Sequence, residues 1–213
     1  MFFAACSVNH PPSSFGNRPQ RRLFAKASLV ALKATIFKAD LQIADMDRRY
    51  YGDHTLTIAR HPSETDERMM VRLLAFALHA HEALSFGRGL STDDEPDLWQ
   101  KDLTGSIEIW IDVGLPDEKR IRRACGRARQ VFVYSYGGRG TQLWWDQVNT
   151  KLGQVENLSV ISLPAASTRA LAKLVLRNMQ LQFTIQEGQI WISDNDQVIE
   201  LGPVTLKSPS LQR

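Results

Sequence analysis

EPDLWQKDLTGSIEIWIDVGLPDEK, residues 95–119, packs seven acidic residues and two Pro-Asp pairs around one strictly alternating run. In SIEIWIDVG (106–114), Ile107, Ile109, Ile111 and Val113 fall on one face and Glu108, Trp110 and Asp112 on the other. That period of two is the signature of a strand. PDEKRIRRACGRARQ (116–130) then reads as a helix, with Pro116 at its entry and acids at its front, where the helix dipole favours them. VFVYSY (131–136) is a continuous apolar run, the pattern of a buried central strand. A helix between two strands implies a crossover and parallel pairing, so the stretch decides for an α/β fold.

Working outward, ATIFKADLQIADMD (34–47) has strand-like apolar positions. HTLTIAR (54–60) alternates Leu56 and Ile58 inward with Thr55 and Thr57 outward, so the two segments read as a hairpin or neighbouring strands. HPSETDERMMVRLLAFALHAHEAL (61–84) reads as the clearest helix. Pro62 and Ser63 mark its start, Asp66 stands at capping-box distance from Ser63, and Met70, Leu73, Leu74, Ala77 and Leu78 repeat at helical spacing. Residues 85–97 read as loop, with or without one short strand. Downstream, GGRGTQLWWDQVNTKL (137–152) turns into a helix, LSVISLP (158–164) is a buried strand, and STRALAKLVLRN (167–178) is a helix. MQLQFTIQEGQIWISDNDQVIEL (179–201) predicts an antiparallel meander with Glu187-Gly188 and Asn195-Asp196 as turn pairs. The whole reads as one α/β domain, residues 30–205, built on a single mixed sheet and closed by an antiparallel meander, with a short tail over 206–213.

Hydrophobic residues make up 43% of the 213-residue chain and charged residues 23%, ordinary values for a domain with a buried core. No apolar run approaches the roughly 20 residues that cross a bilayer, and no membrane partner is expected. The formal net charge of +3 is misleading, because residues 1–29 carry Arg18, Arg21, Arg22 and Lys26 and no acid; without those four the charge is −1. Bulk charge therefore does not argue for nucleic acid, although a local basic patch would. The two cysteines form no CxxC or His/Cys cluster, which speaks against structural zinc and fits a reducing cytoplasm. Residues 1–29 show neither helical nor strand periodicity. They read as a disordered or spurious extension, with a transit peptide as the rival compositional match.

Glu108 and Asp112 stand four residues apart, about 13 Å along a strand. That is too far to grip one hard cation, whose oxygen ligands lie at about 2.0–2.6 Å, so each needs a partner from another segment. Asp97, after Pro96, supplies one. An acid after proline, a gap, and an acid on the next strand with a lysine two residues on is the layout of the PD-(D/E)xK phosphodiesterases. Asp97 and Asp112, separated by 14 residues, fit it, as do Asp97 and Glu108, separated by 10. Neither pair has the lysine: Gly114 holds its place after Asp112. Lys119, in the first turn of the following helix, is the nearest substitute. In such sites the acids hold Mg²⁺ or Mn²⁺ and the lysine positions water and steadies developing charge.

The blocks ALKATIFKADL, LTIARHPSETDERMMVRLLAFAL, RGLSTDDEPDLW, IEIWIDVGLPDEKRIRRAC and NLSV resemble the YaeQ family of bacterial proteins from about Ala31 to Leu201. The resemblance implies a restriction-endonuclease-like core, an αβββαβ unit mapped onto helix 62–82, a strand near 85–88, Asp97, strand 106–113, helix 116–130 and strand 131–136. It implies a variant site without the usual lysine. Family members begin at the residue before ALKAT, which is Val30 here, and a non-ATG start would explain it.

On this reading the protein is a metal-dependent phosphodiesterase acting on nucleic acid. Asp97 and Asp112, with Glu108 as the rival, hold Mg²⁺ or Mn²⁺; Lys119 assists; and Glu64 or Glu67, at the front of the first long helix, adds an outer ligand. For both glutamates, capping and dipole stabilisation is the plainer role. The alternative is a non-catalytic nucleic-acid- or protein-binding module that reuses the nuclease fold. It would act through Arg120, Arg123 and Arg127, which share a face of helix 116–130, and through whichever of Trp144 and Trp145 is not core. YGGRGT (136–141) reads as a tight turn with Thr141 near the helix start. Cys125 reads as packed rather than nucleophilic.

Overall fold

The computed structural model describes residues 34–88 and 94–210. The segment 1–29, and the start proposed at Val30, lie outside those residues. In chain order the elements are β1 (Thr35–Asp45), β2 (Tyr50–Arg60), α1 (Asp66–Leu78), β3 (Leu84–Phe86), β4 (Leu98–Lys101), β5 (Ile107–Val113), α2 (Glu118–Cys125), β6 (Ala128–Ser135), α3 (Arg139–Leu152), β7 (Leu158–Ser162), α4 (Ala165–Leu171), β8 (Asn178–Gln186), β9 (Gln189–Ser193), β10 (Val198–Leu201) and β11 (Val204–Lys207). β11 carries the fold past residue 205, where the sequence placed the start of a tail.

The strands form two sheets rather than the single mixed sheet expected. β1 and β8 bury every second residue: Phe37, Ala39, Leu41 and Ile43 on one, Met179, Leu181, Phe183 and Ile185 on the other. One buried and one wet face is the pattern of a sheet covered on one side only. These strands build their own five-stranded sheet, ordered β10-β9-β8-β1-β2. In it β1 pairs antiparallel with β2 and parallel with β8, from Lys38↔Asn178 onward. The β8–β9–β10 meander is antiparallel, as expected. Its first turn is Glu187-Gly188, both at positive φ (53° and 75°), with both N–H groups donating to the Asp47 carboxylate at 2.8 and 2.9 Å.

The second sheet is ordered β11-β7-β6-β5-β4-β3. β5, β6 and β7 are parallel, and β4 and β3 continue from β5 as antiparallel neighbours. One core joins the buried face of the five-stranded sheet, α1, α4 and the Ile111 and Val113 face of β5. Within it α1 is buried almost all round, from Met69 to Ala77. A second core lies on the other face of the six-stranded sheet, where Trp110, Val131 and Val133 meet Ile121 and Ala124 of α2 and Trp144, Val148 and Leu152 of α3. Trp144 is the core member of the tryptophan pair and donates from Nε1 to the Pro116 carbonyl at 2.8 Å; Trp145 packs half-buried beside it.

Three helix boundaries differ from expectation. α1 is capped by Thr65, whose side chain accepts from the Arg68 N–H at 3.2 Å; Ser63 instead bonds the His61 ring. α2 ends at Gly126, and β6 has begun by Ala128, so Arg127 and Arg129 are not helical. α4 stops at Leu171 and passes through a 3-10 turn at Ala172–Leu174 before β8. Among the described residues no helix is long and apolar enough to cross a membrane.

Candidate functional site

The strand that decides the fold also organises the site. Its outward side chains each meet an arginine: Glu108 meets Arg129, Trp110 lies under Arg127, and Asp112 meets Arg120. Its carboxyl end lies between α1 on one side and α2 on the other.

On the α1 side, Glu64 precedes the cap and turns inward, 5% exposed. Arg72 Nη1 donates to both of its oxygens at 3.0 Å, and Arg68 Nη1 donates to Oε1 at 3.1 Å. Asp97, the residue before β4, is 4% exposed. Its Oδ2 accepts the Val113 N–H at 2.7 Å, and Arg68 Nη2 reaches its two oxygens at 2.8 and 3.0 Å. Arg72 Nε stands 3.8 Å from Asp97 Oδ1. Burial is the largest influence on Asp97 and leaves its carboxyl above the usual value, against the pull of Arg68, Arg72 and the Val113 N–H. Burial alone would lower Arg68, but Asp97 and Glu64 together hold it above its ordinary value.

On the α2 side, Asp112 is 2% exposed and gripped by a two-pronged guanidinium: Arg120 Nη2 to Oδ1 at 2.7 Å and Nε to Oδ2 at 3.0 Å. Such a fork is the strongest form of charge-assisted hydrogen bond between side chains. Arg120 Nη2 also donates to the Glu95 carbonyl at 2.8 Å, and its backbone N–H is capped by Asp117.

The structure thus brings Asp97, Asp112 and Glu64 to the end of β5 but hands each to an arginine. Asp97 is drawn toward α1 and Asp112 toward α2. Glu67 goes elsewhere, accepting from Thr168 Oγ1 at 2.7 Å and tying α1 to α4. Glu108 sits down the strand, on Arg129. Lys119 points to solvent on α2 rather than back to the acids. Among the described residues no group of three or more His, Cys, Asp or Glu side chains is placed to hold a metal ion. In this arrangement the donor set does not fit Mg²⁺ or Mn²⁺: the carboxylate oxygens face guanidinium N–H groups.

Arg120, Arg123 and Arg127 do not share one helical face, because α2 ends before Arg127. Arg123 Nη1 meets Asp94 Oδ1 at 3.2 Å and Arg127 Nη1 meets the Asp94 carbonyl at 3.1 Å. Arg120 is an internal partner of Asp112 rather than a surface group. Cys125 is half-buried, and burial pushes its thiol up to about 11, which disfavours the thiolate. Sequence reasoning missed Arg68 and Arg72. The signal was available: Glu64, Arg68 and Arg72 recur every four residues, the spacing that stacks side chains on one side of a helix.

A mixed α/β protein with two sheets and an arginine-closed acidic cluster is the class this defines. Residues 30–203 match the YaeQ protein family, and the chain belongs to it. Two relatives, each called "Uncharacterized protein YaeQ", come from Salmonella typhi and Escherichia coli K12. They are 47% and 46% identical over 181 residues, covering 85% of this chain and 100% of theirs. The crystal structure of the YaeQ protein from Xanthomonas axonopodis pv. citri superimposes with a TM-score of 0.81 at 50% identity, covering 83% of this chain and 99% of that one. That from Pseudomonas syringae gives 0.79 at 36% identity, covering 82% and 97%.

Proposed function

We propose that this protein is a non-catalytic nucleic-acid-binding module that reuses a restriction-endonuclease-like, PD-(D/E)xK-type core. Two features support the reading: the element order α1, β3, β4, β5, α2, β6, an αβββαβ succession, and the placing of Asp97 before β4 and Asp112 on β5. The observation that carries the reading is their closure: each acid the layout would aim at a metal is neutralised by an arginine. Meanwhile the side chains of Arg122, Arg123 and Arg129 around α2 are 51%, 51% and 77% exposed. The interior charges hold the fold, and the exterior arginines, in surface pairs with Glu118, Asp94 and Glu108, are the ones phosphate can compete for.

Binding of a fluorescent oligonucleotide is therefore expected in EDTA and should weaken steeply with salt. Substituting Arg123, Arg127 and Arg129 together by alanine is expected to lower the slope of log K against log[salt] by about 2–3. Absence of binding to any nucleic acid at low salt would sink the reading.

A second reading, a metal-dependent phosphodiesterase, is favoured by one feature. Arg68 Nη2 lies 3.4 Å from the Val113 carbonyl, beside the Gly114 position where the lysine of a PD-(D/E)xK site would stand. The cation of that layout would then come from α1 and not from Lys119. Cleavage that needs Mg²⁺ or Mn²⁺ and is lost in Asp112→Asn would select it.

A further inference from the structure

We infer that the nucleic acid taken by this face is single-stranded, and that its contact point is a base stacked on Trp99. The inference rests on the binding reading above and adds the substrate class. Trp99 lies on β4 directly opposite Trp110 of β5. Their rings stand edge to face, 6.5 Å apart at 85°. α2 covers Trp110, which is 1% exposed, but leaves Trp99 half-buried on the penultimate strand, between Trp110 and Ser85 of the edge strand β3.

Cations flank this aromatic pair on both sides. Lys101 Nζ sits 3.4 Å from the centre of the Trp99 ring, and the Arg127 guanidinium lies 5.4 Å above Trp110. Arg123 and Arg129 continue the line of arginines along α2 and β6, each in an exposed surface pair, with Asp94 and Glu108. A row of guanidinium groups beside a sheet-mounted ring is how single strands are held without sequence readout: the cations follow the backbone and the ring takes a base face. A duplex keeps its base faces inside the stack and can use only the cations. Lys101 is exposed on a flexible stem, so an arriving base displaces its ammonium from the ring toward a neighbouring phosphate.

The test uses the full chain and four fluorescein-labelled probes of equal length: oligothymidylate, oligouridylate, an abasic strand and a duplex. The strand probes carrying bases are expected to bind at least tenfold tighter than the duplex or the abasic strand. Trp99→Ala should lose about tenfold on those strands with its salt slope unchanged, and Trp99→Phe should keep most of the affinity. Trp191→Ala, on the five-stranded sheet, is the control expected to bind as the unaltered chain does. Unfolding curves establish that each variant is folded. Equal affinity for strand and duplex, or full strand affinity in a folded Trp99→Ala, would overturn the inference while leaving the binding reading intact. No binding to any probe would overturn both.

Discussion

Replacing Arg72 with alanine is expected to cost about 3–5 kcal/mol of folding stability, the range for removing one partner of a buried ion pair. Arg72 is 2% exposed and donates to both oxygens of Glu64. Without it Glu64 depends on Arg68, which already serves Asp97. Two carboxylates would share one guanidinium in a medium that solvates neither. The side chain also packs over Phe86, 5.2 Å from the ring centre, so truncation removes contact as well as charge. Urea unfolding at pH 7 reads the effect as a lowered midpoint. The double variant Glu64→Leu/Arg72→Met, which removes the charges together, is expected to recover much of the loss, since an apolar pair of similar volume often replaces a buried salt bridge without cost. A loss below about 1 kcal/mol in Arg72→Ala would mean that water or a shifted Arg68 solvates Glu64.

The second large effect is acid sensitivity from His79. This residue ends α1, its ring 4.3 Å from that of Phe132 and its Nε2 2.7 Å from the Tyr134 hydroxyl. Burial foremost, then the nearby Arg48, lowers its pKa to about 3, with Asp45 opposing. The folded value lies below the unfolded one, so the unfolded chain takes up the proton first as pH falls. The stability this confers is complete above about pH 6.5 and is lost between there and about pH 3, at about 1.4 kcal/mol per pH unit. Asp97 works in the opposite sense: raised in the folded state, it favours the fold at low pH and loses that contribution as pH rises through its folded value. The decline between pH 6 and pH 4 is therefore assigned to His79. Urea midpoints at pH 7, 6, 5 and 4 should fall steeply for the unaltered chain and less steeply for His79→Gln. Parallel declines would remove His79 from the account.

What was legible in the sequence was local. The alternation of residues 107–113 put Ile111 and Val113 on one face and Trp110 and Asp112 on the other, as the structure has them, although it read the second face as polar and the structure buries it in a second core. The turn at Glu187-Gly188 and the strand pair β1–β2 were equally readable, because their pairing is set by neighbours in the chain. The division into two sheets was not, because it depends on β1 meeting β8, a pairing between opposite ends of the domain that no local pattern encodes. The end of α2 was missed although Gly126 announced it, because the arginines around it suit a helix and a strand margin alike. In the site, Glu67 and Glu108 lie away from the end of β5, and only the placing of Asp97 and Asp112 was readable from spacing. Their state was not: whether a carboxylate faces a cation or a cavity depends on which side chain the opposing helix delivers, and here α1 delivers Arg68 and Arg72 and α2 delivers Arg120.

Calorimetric titration of Mn²⁺ into the full chain at neutral pH tests the central claim most directly, with Asp97→Asn and Asp112→Asn alongside. Acids closed by arginines predict no stoichiometric binding, and the same heats for all three proteins. Binding of one ion that disappears in both variants would mean that Asp97 and Asp112 converge on a metal, and would contradict the account.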